Sequence, residues 1–580
     1  MSLFNLSIRE LVSFWRVLFC CAVVCAFVPT IALAQKADQI YFGGSLLTME
    51  GDRPVYAEAL AVTDGNISFV GKLSEALALK DDATQMHDLQ GKALLPGFID
   101  SHGHAMYAGI LGSTANLFAY PDGHATDIPS LISTMNDWQK NNAELAKMLG
   151  WIVGFGYDDA LLSEGRHPTA SDLDLISKDR PVMMIHQSVH MSVVNHKGLE
   201  LLGYTAETPD PSGGVIHREA DGKTPNGVLE EHASLKGTFM MVGGLSEKAR
   251  QVMGLSAIER YKSYGWTTIQ EGGASPSIVA SWRKIAENKP LEVDVAAYPI
   301  LPAFEDYLKK EGVRKEYLNG FRVAGAKIIM DGAVQNKTAY LTKPYFKPPP
   351  GQDASYRAYP AYDDEVVNRV VHASLKADWP LLAHTNGDAA GDQLINAVSK
   401  ARRQLGKTDN RTVMIHAQTA RDDQLDRMKL ESIIPSFFTL HTYYWGDWHR
   451  EETLGAERTA RISPTQSALR RKLAFTTHHD APVTPPSSIR ILAATVNRVS
   501  RSGKVIGEAQ RVSTYVALKS LTDWAAYQYF EEDRKGTLTK GKLADFVILD
   551  QNPLDLAPEK LNDLQVVSTV KEGRVIYRKD

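Results

Sequence analysis

The chain has 580 residues, 44% of them hydrophobic and 23% charged, enough apolar content for a large core and for two or more folding units. A formal net charge of −4 gives no support for binding nucleic acid or an anionic membrane, so the expected partner is a small molecule and not nucleic acid. The 3 cysteines all fall between Cys20 and Cys25, which leaves the remaining chain without a disulfide framework or a thiolate metal site.

At the N-terminus, Arg9 and Arg16 precede an uncharged stretch from Val17 to Ala34 that ends Ala32-Leu33-Ala34 before Gln35. This is the pattern of a Sec-type signal peptide cleaved after Ala34. An uncleaved anchor is the alternative, disfavoured by Pro29 and by the small residues at the end of the stretch. Residues 1–34 are therefore set aside as a leader. The expectation is an exported protein, periplasmic or secreted, with no stable membrane association once the leader is gone. Loss of Arg9, Glu10 and Arg16 makes the net charge one unit more negative.

From residue 35 to 95 short alternating apolar runs are punctuated by turns: Gln39-Ile40-Tyr41-Phe42 before Gly43-Gly44, Ala59-Leu60-Ala61-Val62 before Asp64-Gly65-Asn66, and Ile67-Ser68-Phe69-Val70 before Gly71. These predict antiparallel strands. The C-terminus has the same character in Phe546-Val547-Ile548-Leu549 and in Val567 to Tyr577. Because chain ends often lie close together, residues 35–95 and 490–580 are expected to pair into one small composite β-sandwich domain.

Residues 96–489 would then form the catalytic unit, and it opens on Pro96-Gly97-Phe98-Ile99-Asp100-Ser101-His102-Gly103-His104. A strand alternates its side chains between two faces, so an apolar run ending in His-x-His predicts two imidazoles pointing the same way. Alone the pair is a weak signal, strong only if distant segments supply further ligands. From about 127 to 260 the chain is richer than one barrel unit requires and reads as an insertion covering the mouth of the site. His190 and Asn195 within it are candidates for substrate contact, with a hydrogen-bonded structural role an equal alternative for each.

After the insertion, apolar segments alternate with helical patterns as a (β/α)8 TIM-like barrel demands. Four of them end unusually: Ala326-Lys327-Ile328-Ile329 carries a lysine, Leu381-Leu382-Ala383-His384 and Thr412-Val413-Met414-Ile415-His416 end in histidine, and Thr476-Thr477-His478-His479-Asp480 ends in a carboxylate. The proline-containing stretch Lys343 to Tyr362 reads as an ordered surface loop. Tyr443 and Trp445, after Phe437-Phe438, are candidates for an apolar pocket wall, a place in the core being the alternative.

In combination these motifs resemble the metal-dependent amidohydrolase superfamily over nearly the whole chain after the leader, and in detail its third amidohydrolase family, which includes N-substituted formamide deformylases and YtcJ-like proteins. The motifs that carry the likeness are Pro-Gly-Phe-Ile-Asp-Ser-His-Gly-His, Lys327 with Asp331-Gly332, His384 with Gly387-Asp388-Ala389, His416 within Ile-His-Ala-Gln, Asp480 within Asp-Ala-Pro-Val, and the C-terminal stretch Gly536 to Asp545. His478-His479 departs from the family's usual Gly-Ser.

The resemblance implies a barrel with one or two divalent ions, usually zinc, and hydrolysis of a carbon–nitrogen bond by metal-activated water. It assigns His102, His104 and Asp480 to one ion and His384 and His416 to another, with Asp480 as catalytic acid and base. Lys327 bridges the two if CO2 has converted its amine to a carbamate; a salt bridge to Asp331 or another carboxylate is the alternative. A lactone, ester or phosphotriester hydrolase on the same centre, or a non-catalytic secreted metal-binding protein, remain the other readings. Substrate identity and the choice between monomer and homodimer stay open at the level of sequence.

Overall fold

The structure, a computed structural model, describes residues 36–579 apart from 212, 407 and 408. The proposed leader lies outside the described residues. Strands β1 (Gln39–Leu47), β2 (Tyr56–Thr63) and β3 (Asn66–Gly71) form an antiparallel meander, followed by β4 (Gln85–Asp88) and β5 (Ala93–Pro96). The β2–β3 turn is Asp64-Gly65, both at positive φ (48° and 74°), the backbone that lets a two-residue turn follow the twist of its strands.

One residue later β6 (Phe98–Ile99) enters a second sheet. The insertion then forms a sheet of its own from β7 (Ala115–Asn116), β8 (Ile152–Tyr157), β9 (Val182–His186), β10 (Met191–Val194), β11 (Gly214–Arg218) and β12 (Pro225–Glu231). Its order is β11-β12-β10-β9-β8-β7. The insertion therefore begins near residue 115, earlier than expected, because β7 pairs with β8. It also ends sooner, since the helix Glu247–Lys262 packs on the barrel strand that follows it.

That strand is β13 (Trp266–Ala274), and after it come β14 (Asp294–Leu301), β15 (Phe321–Val323), β16 (Ala326–Ile329), β17 (Leu381–Thr385), β18 (Val413–His416), β19 (Ile434–Phe437) and β20 (Thr476–Thr477). They run parallel in the order β20-β19-β18-β17-β16-β14-β13-β6. β15 pairs with an earlier part of β14 than β16 does, so the two share one position and the sheet has the eight positions of a TIM-like α/β fold. β17, β18 and β19 are buried throughout their length, which is why they read as unbroken apolar runs instead of alternating ones.

No strand ladder joins β20 to β6. Three hydrogen bonds just beyond the strands connect them instead: Ser101 Oγ to Thr477 O (2.9 Å), Asp480 N to His102 O (3.2 Å) and His104 N to Ala481 O (2.8 Å).

The chain returns to its first sheet with β21 (Phe546–Leu549), β22 (Val566–Lys571) and β23 (Arg574–Arg578). Together the two ends make one eight-stranded sheet, β23-β22-β21-β5-β1-β2-β3 with β4 on β1. It is a single sheet, not two stacked ones, and it curls until Gly65 in the β2–β3 turn lies against Glu572 in the β22–β23 turn. Its C-terminal part starts at Phe546 and not near 490. Ser487 caps a helix at Ser488–Asn497 whose Ile489, Leu492, Ala493 and Val496 are buried at helical spacing, and two more helices follow before the strands. Among the described residues no helix is long and apolar enough to cross a membrane.

Barrel and curled sheet are joined through buried charge. Asp294 at the start of β14 lies 2.6 Å from Lys535 Nζ and 3.0 Å from Lys571 Nζ, and Lys571 reaches Asp545 at 3.2 Å. Burial pushes the Asp294 carboxyl up, but the two ammonium groups outweigh it and hold it down at about 2. A group whose folded pKa is depressed stabilises the fold above its unfolded pKa and loses that contribution as pH falls through the folded value. Asp294→Ala, which leaves two buried lysines short of their shared counter-charge, is expected to cost about 3–5 kcal/mol in urea denaturation. The difference between variant and wild type should be intact above pH ~4 and shrink as pH falls toward ~2.

Candidate metal centre

His102 and His104 do not sit on a strand. β6 ends at Ile99, and the two histidines lie in the bend that follows it. Asp100 Oδ1 accepts the His102 amide at 3.0 Å, Gly103 O accepts the Gly272 amide at 2.8 Å, and the His104 amide is tied across the seam to Ala481. These bonds, and not strand alternation, aim both rings inward. A Cβ at Gly103 would lie 2.8 Å from Asp100, His479 and Tyr261, so the bend can be this tight only with glycine there.

The structure brings all six sequence-predicted ligands to one end of the barrel. His102 Nε2 lies 3.3 Å from Asp480 Oδ1 and 3.3 Å from Lys327 Nζ. His104 Nε2 is 3.5 Å from Asp480 Oδ1, and His416 Nε2 is 3.8 Å from Asp480 Oδ2. The His384 and His416 rings stand 4.6 Å apart. Donors bound tetrahedrally to one zinc at its usual bond lengths are roughly 3.3 Å from each other, so most of these separations match ligands around a common ion. Asp480 Oδ1, His384 Nδ1 and His416 Nδ1 are buried without a hydrogen-bond partner.

Electrostatics points the same way. Burial, with the charge of Lys327 and of neighbouring imidazoles, pushes His102 well below the ordinary histidine value; burial and the surrounding histidines do the same to His416. Burial also lowers His384, against the pull of Asp331. Neutral imidazoles with free lone pairs are what a cation requires. Burial pushes the Asp480 carboxyl up, but its hydrogen bond to His104 and its charge interactions with His104, His478 and Lys327 outweigh that and hold it below the usual carboxylate range. Burial lowers Lys327 to about 7, and among the described residues no carboxylate forms an ion pair with it. Asp331 does not serve as that partner, since its oxygens accept the amides of Tyr340 (3.0 Å), Asn386 (3.0 Å) and Gly387 (2.7 Å). His416 and Asp480 both hold positive φ (71° and 53°), strain of about 1–3 kcal/mol each of the kind found where side-chain direction matters more than backbone comfort.

Supporting residues to which sequence reasoning gave no such role surround the ligands. Gln270 Oε1 accepts from His102 Nδ1 at 2.7 Å, while its amide donates to Ser101 O and Tyr529 Oη. This puts the His102 proton on Nδ1 and frees Nε2. On the other side Asp331 Oδ1 stands 3.5 Å from His384 Nδ1, facing the ring without hydrogen-bonding to it. Glu271 bonds the Met106 amide and the Trp282 indole, and burial raises it to about 7. Glu231 holds His190 Nδ1 at 2.8 Å. The only available signal for these was position next to a ligand or at a strand end.

The substrate-contact candidates divide. His190 lines the cavity that opens on Lys327, His384 and Asp480. Asn195 does not: its side chain caps the helix His196–Leu202 and bonds the backbone of Val182, Ser177 and Arg180. Trp445 is buried with its indole on Asp158, and Tyr443 faces a separate surface depression. Neither lines the cavity, because the helix after β19 turns them away from the strand end. Tyr359 and Tyr362 take up that role from the 343–362 loop, which is therefore more than surface. His478 packs behind the ligands, stacked on Phe438 with ring centroids 5.2 Å apart and at 5.2 Å and 5.1 Å from His102 and His416.

Comparison with known proteins agrees with this geometry. The sequence profile of the amidohydrolase family matches residues 85–577. The YtcJ protein of Bacillus subtilis strain 168 is 26% identical over 93% of this chain and 99% of its own length. N-substituted formamide deformylase of Arthrobacter pascens is 23% identical over 94% of this chain and 99% of its length. In fold, the chain is similar to a metal-dependent hydrolase of Pyrococcus furiosus, with a TM-score of 0.70, 24% identity, and coverage of 89% of this chain and 100% of that one.

Asp331→Asn sets an amide where three backbone N–H groups need an acceptor and removes the charge that faces the His384 ring. Competition with a chelator should find metal affinity lower by roughly 10–100-fold, with far-ultraviolet circular dichroism unchanged.

Proposed function

The chain belongs to the amidohydrolase family, and on that premise we propose that it is an exported hydrolase that cleaves an amide or formamide-like carbon–nitrogen bond in a small molecule. The observation that carries this reading is the convergence of six donors from five barrel positions at one end of the barrel, where His104, Lys327, His384 and Asp480 line a cavity of about 190 Å³. That volume supports a small-molecule substrate.

The donor set fits one or two divalent ions, with zinc favoured by imidazole and carboxylate ligands. His102, His104 and Asp480 would hold one ion, His384 and His416 the other, and Lys327 as its carbamate would bridge them. Such an ion supplies Lewis acidity, polarising a carbonyl and making water more acidic. The carbamate is supported by the Lys327 pKa of about 7, which leaves much of the amine neutral, and by the lack of a carboxylate partner among the described residues. The neutral amine adds to CO2 and releases one proton, which turns an uncharged side chain into an anion that binds metal.

The remaining chemistry is assigned to the chain's own residues. Asp480 takes the proton from the attacking water and returns it to the departing nitrogen, since an amine leaves only when protonated. Its Oδ2 is the atom suited to this, because Oδ1 is turned toward His102 and His104. His190, fixed through Nδ1 by Glu231, lines the cavity and is assigned to orient the substrate carbonyl. Phe155 and Ile185 of the insertion line the same cavity and keep it apolar.

Asp480→Asn should bind the metal within a few-fold of wild type yet lose turnover by about 10²–10⁴; wild-type rates in that variant would overturn the assignment. A panel of formamides, amides, lactones and phosphotriesters tests the bond type, and turnover confined to the esters would refute the carbon–nitrogen reading. Growth with 13C-bicarbonate should yield a carbamate carbon signal that Lys327→Met abolishes. For export, the N-terminus of the protein recovered outside the cytoplasm is expected to be Gln35.

A further inference from the structure

His479 takes no part in the chemistry assigned above, although it directly precedes Asp480 and is fully buried. Its Nδ1 accepts the Ala481 amide at 2.8 Å. A side-chain acceptor two residues before an amide closes a small turn, the one that aspartate and asparagine make with Oδ1. Histidine can make it because Nδ1, like Oδ1, is carried on Cγ. The chain uses the same device in the insertion, where the Ser188 amide donates to His186 Nδ1 at 3.0 Å. The residue enclosed by the His479 turn is Asp480, whose φ is 53°.

Across the seam Asp100 closes the matching turn, its Oδ1 accepting the His102 amide at 3.0 Å. The two turn-forming side chains meet. With Nδ1 engaged as an acceptor, the ring proton of a neutral His479 lies on Nε2. That nitrogen stands 3.2 Å from Asp100 Oδ1, a close electrostatic contact outside hydrogen-bond geometry. Tyr261 and Trp266 pack edge-on around the imidazole, with ring centroids 5.3 Å and 5.4 Å away, and Thr484 Oγ1 donates to the His479 carbonyl at 2.6 Å.

We propose that His479 is a positioning residue: the turn it closes aims the Asp480 carboxylate at His102 and His104, and its contact with Asp100 ties that turn to the one that aims His102. Asp480 Oδ1 reaches those imidazoles at 3.3 Å and 3.5 Å. Loss of the turn lets Asp480 relax to the negative φ that residues other than glycine prefer, and its carboxylate then swings away from both rings. The effect on turnover rests on the acid and base role assigned to Asp480 above, whereas the effect on geometry does not.

The test compares His479→Leu and His479→Asn with wild type, using the full chain in each case. In crystals of the metal-free proteins, His479→Leu should lose the positive φ of Asp480 and draw its carboxylate away from His102, while His479→Asn, whose Oδ1 can take the Ala481 amide, keeps both. Loaded with Co2+ alone, His479→Leu should shift the visible d–d bands and His479→Asn should reproduce the wild-type spectrum. Leucine is nearer to histidine in volume than asparagine is, so a packing role predicts the opposite order. On any amide that the wild type hydrolyses, kcat should fall by about 10–100-fold in His479→Leu with KM unchanged. A leucine variant that matches wild type in crystal and spectrum, or an asparagine variant displaced as far as the leucine one, overturns the proposal. Should His479→Leu not fold, His479→Gln, whose amide sits one bond too far out to close the turn, takes its place under the same criteria. Crystal and spectrum need no substrate, so a wild type that hydrolyses nothing would refute the hydrolase reading and leave these two measurements to decide the positioning role.

Discussion

The two backbone hydrogen bonds from Asp480 N to His102 O and from His104 N to Ala481 O close the barrel where no strand ladder does. A parallel sheet of eight positions leaves its first and last strands to meet, and here those strands are two residues long and stop short of pairing. The chain solves the closure with the segments just beyond them, which are also the segments that carry His102, His104 and Asp480. Structural seam and candidate metal centre are thus one feature. Side chains around it are positioned by bonds the fold requires in any case, a rigid support that a binding site on free loops would lack.

Burial then sets the chemical state of the centre. Imidazoles crowded together away from water lose their protons because each disfavours charge on the others, and an amine in the same surroundings drops to about 7. These shifts follow from placing basic groups at the ends of buried strands with few counter-ions. The opposite end of the molecule uses the reverse arrangement. Around Asp294, Lys535 and Lys571 each buried charge has a partner within 3.0 Å, and there the groups remain ionised and hold the curled sheet to the barrel.

The insertion is more than a lid. Its sheet supplies Phe155, Ile185, His190 and Glu231 to the cavity, and Glu231 and Val189 both adopt positive φ (45° and 60°), so the backbone is bent locally to aim these groups inward. The cavity is lined on one side by barrel strand ends and on the other by this inserted sheet, with Tyr359 and Tyr362 of the long loop between them.

Local sequence was sufficient for the strands that carry Lys327, His384 and His416, because a run buried on both faces is apolar throughout and a single polar residue in it stands out. It was sufficient for the Asp64-Gly65 turn, where only certain residues tolerate the backbone. It did not determine how His102 and His104 converge, since the bend that aims them is made by Asp100, Gly272 and Ala481, which are distant or carry no distinctive pattern. Nor did it reveal that Asn195 and Trp445 point away from the cavity, that Gln270 orients His102 and Asp331 faces His384, or that the segment after 490 is helical before the strands resume. A residue's type and spacing report its own element; the partner of a polar side chain is chosen by packing across the whole chain, and only the folded arrangement contains that choice.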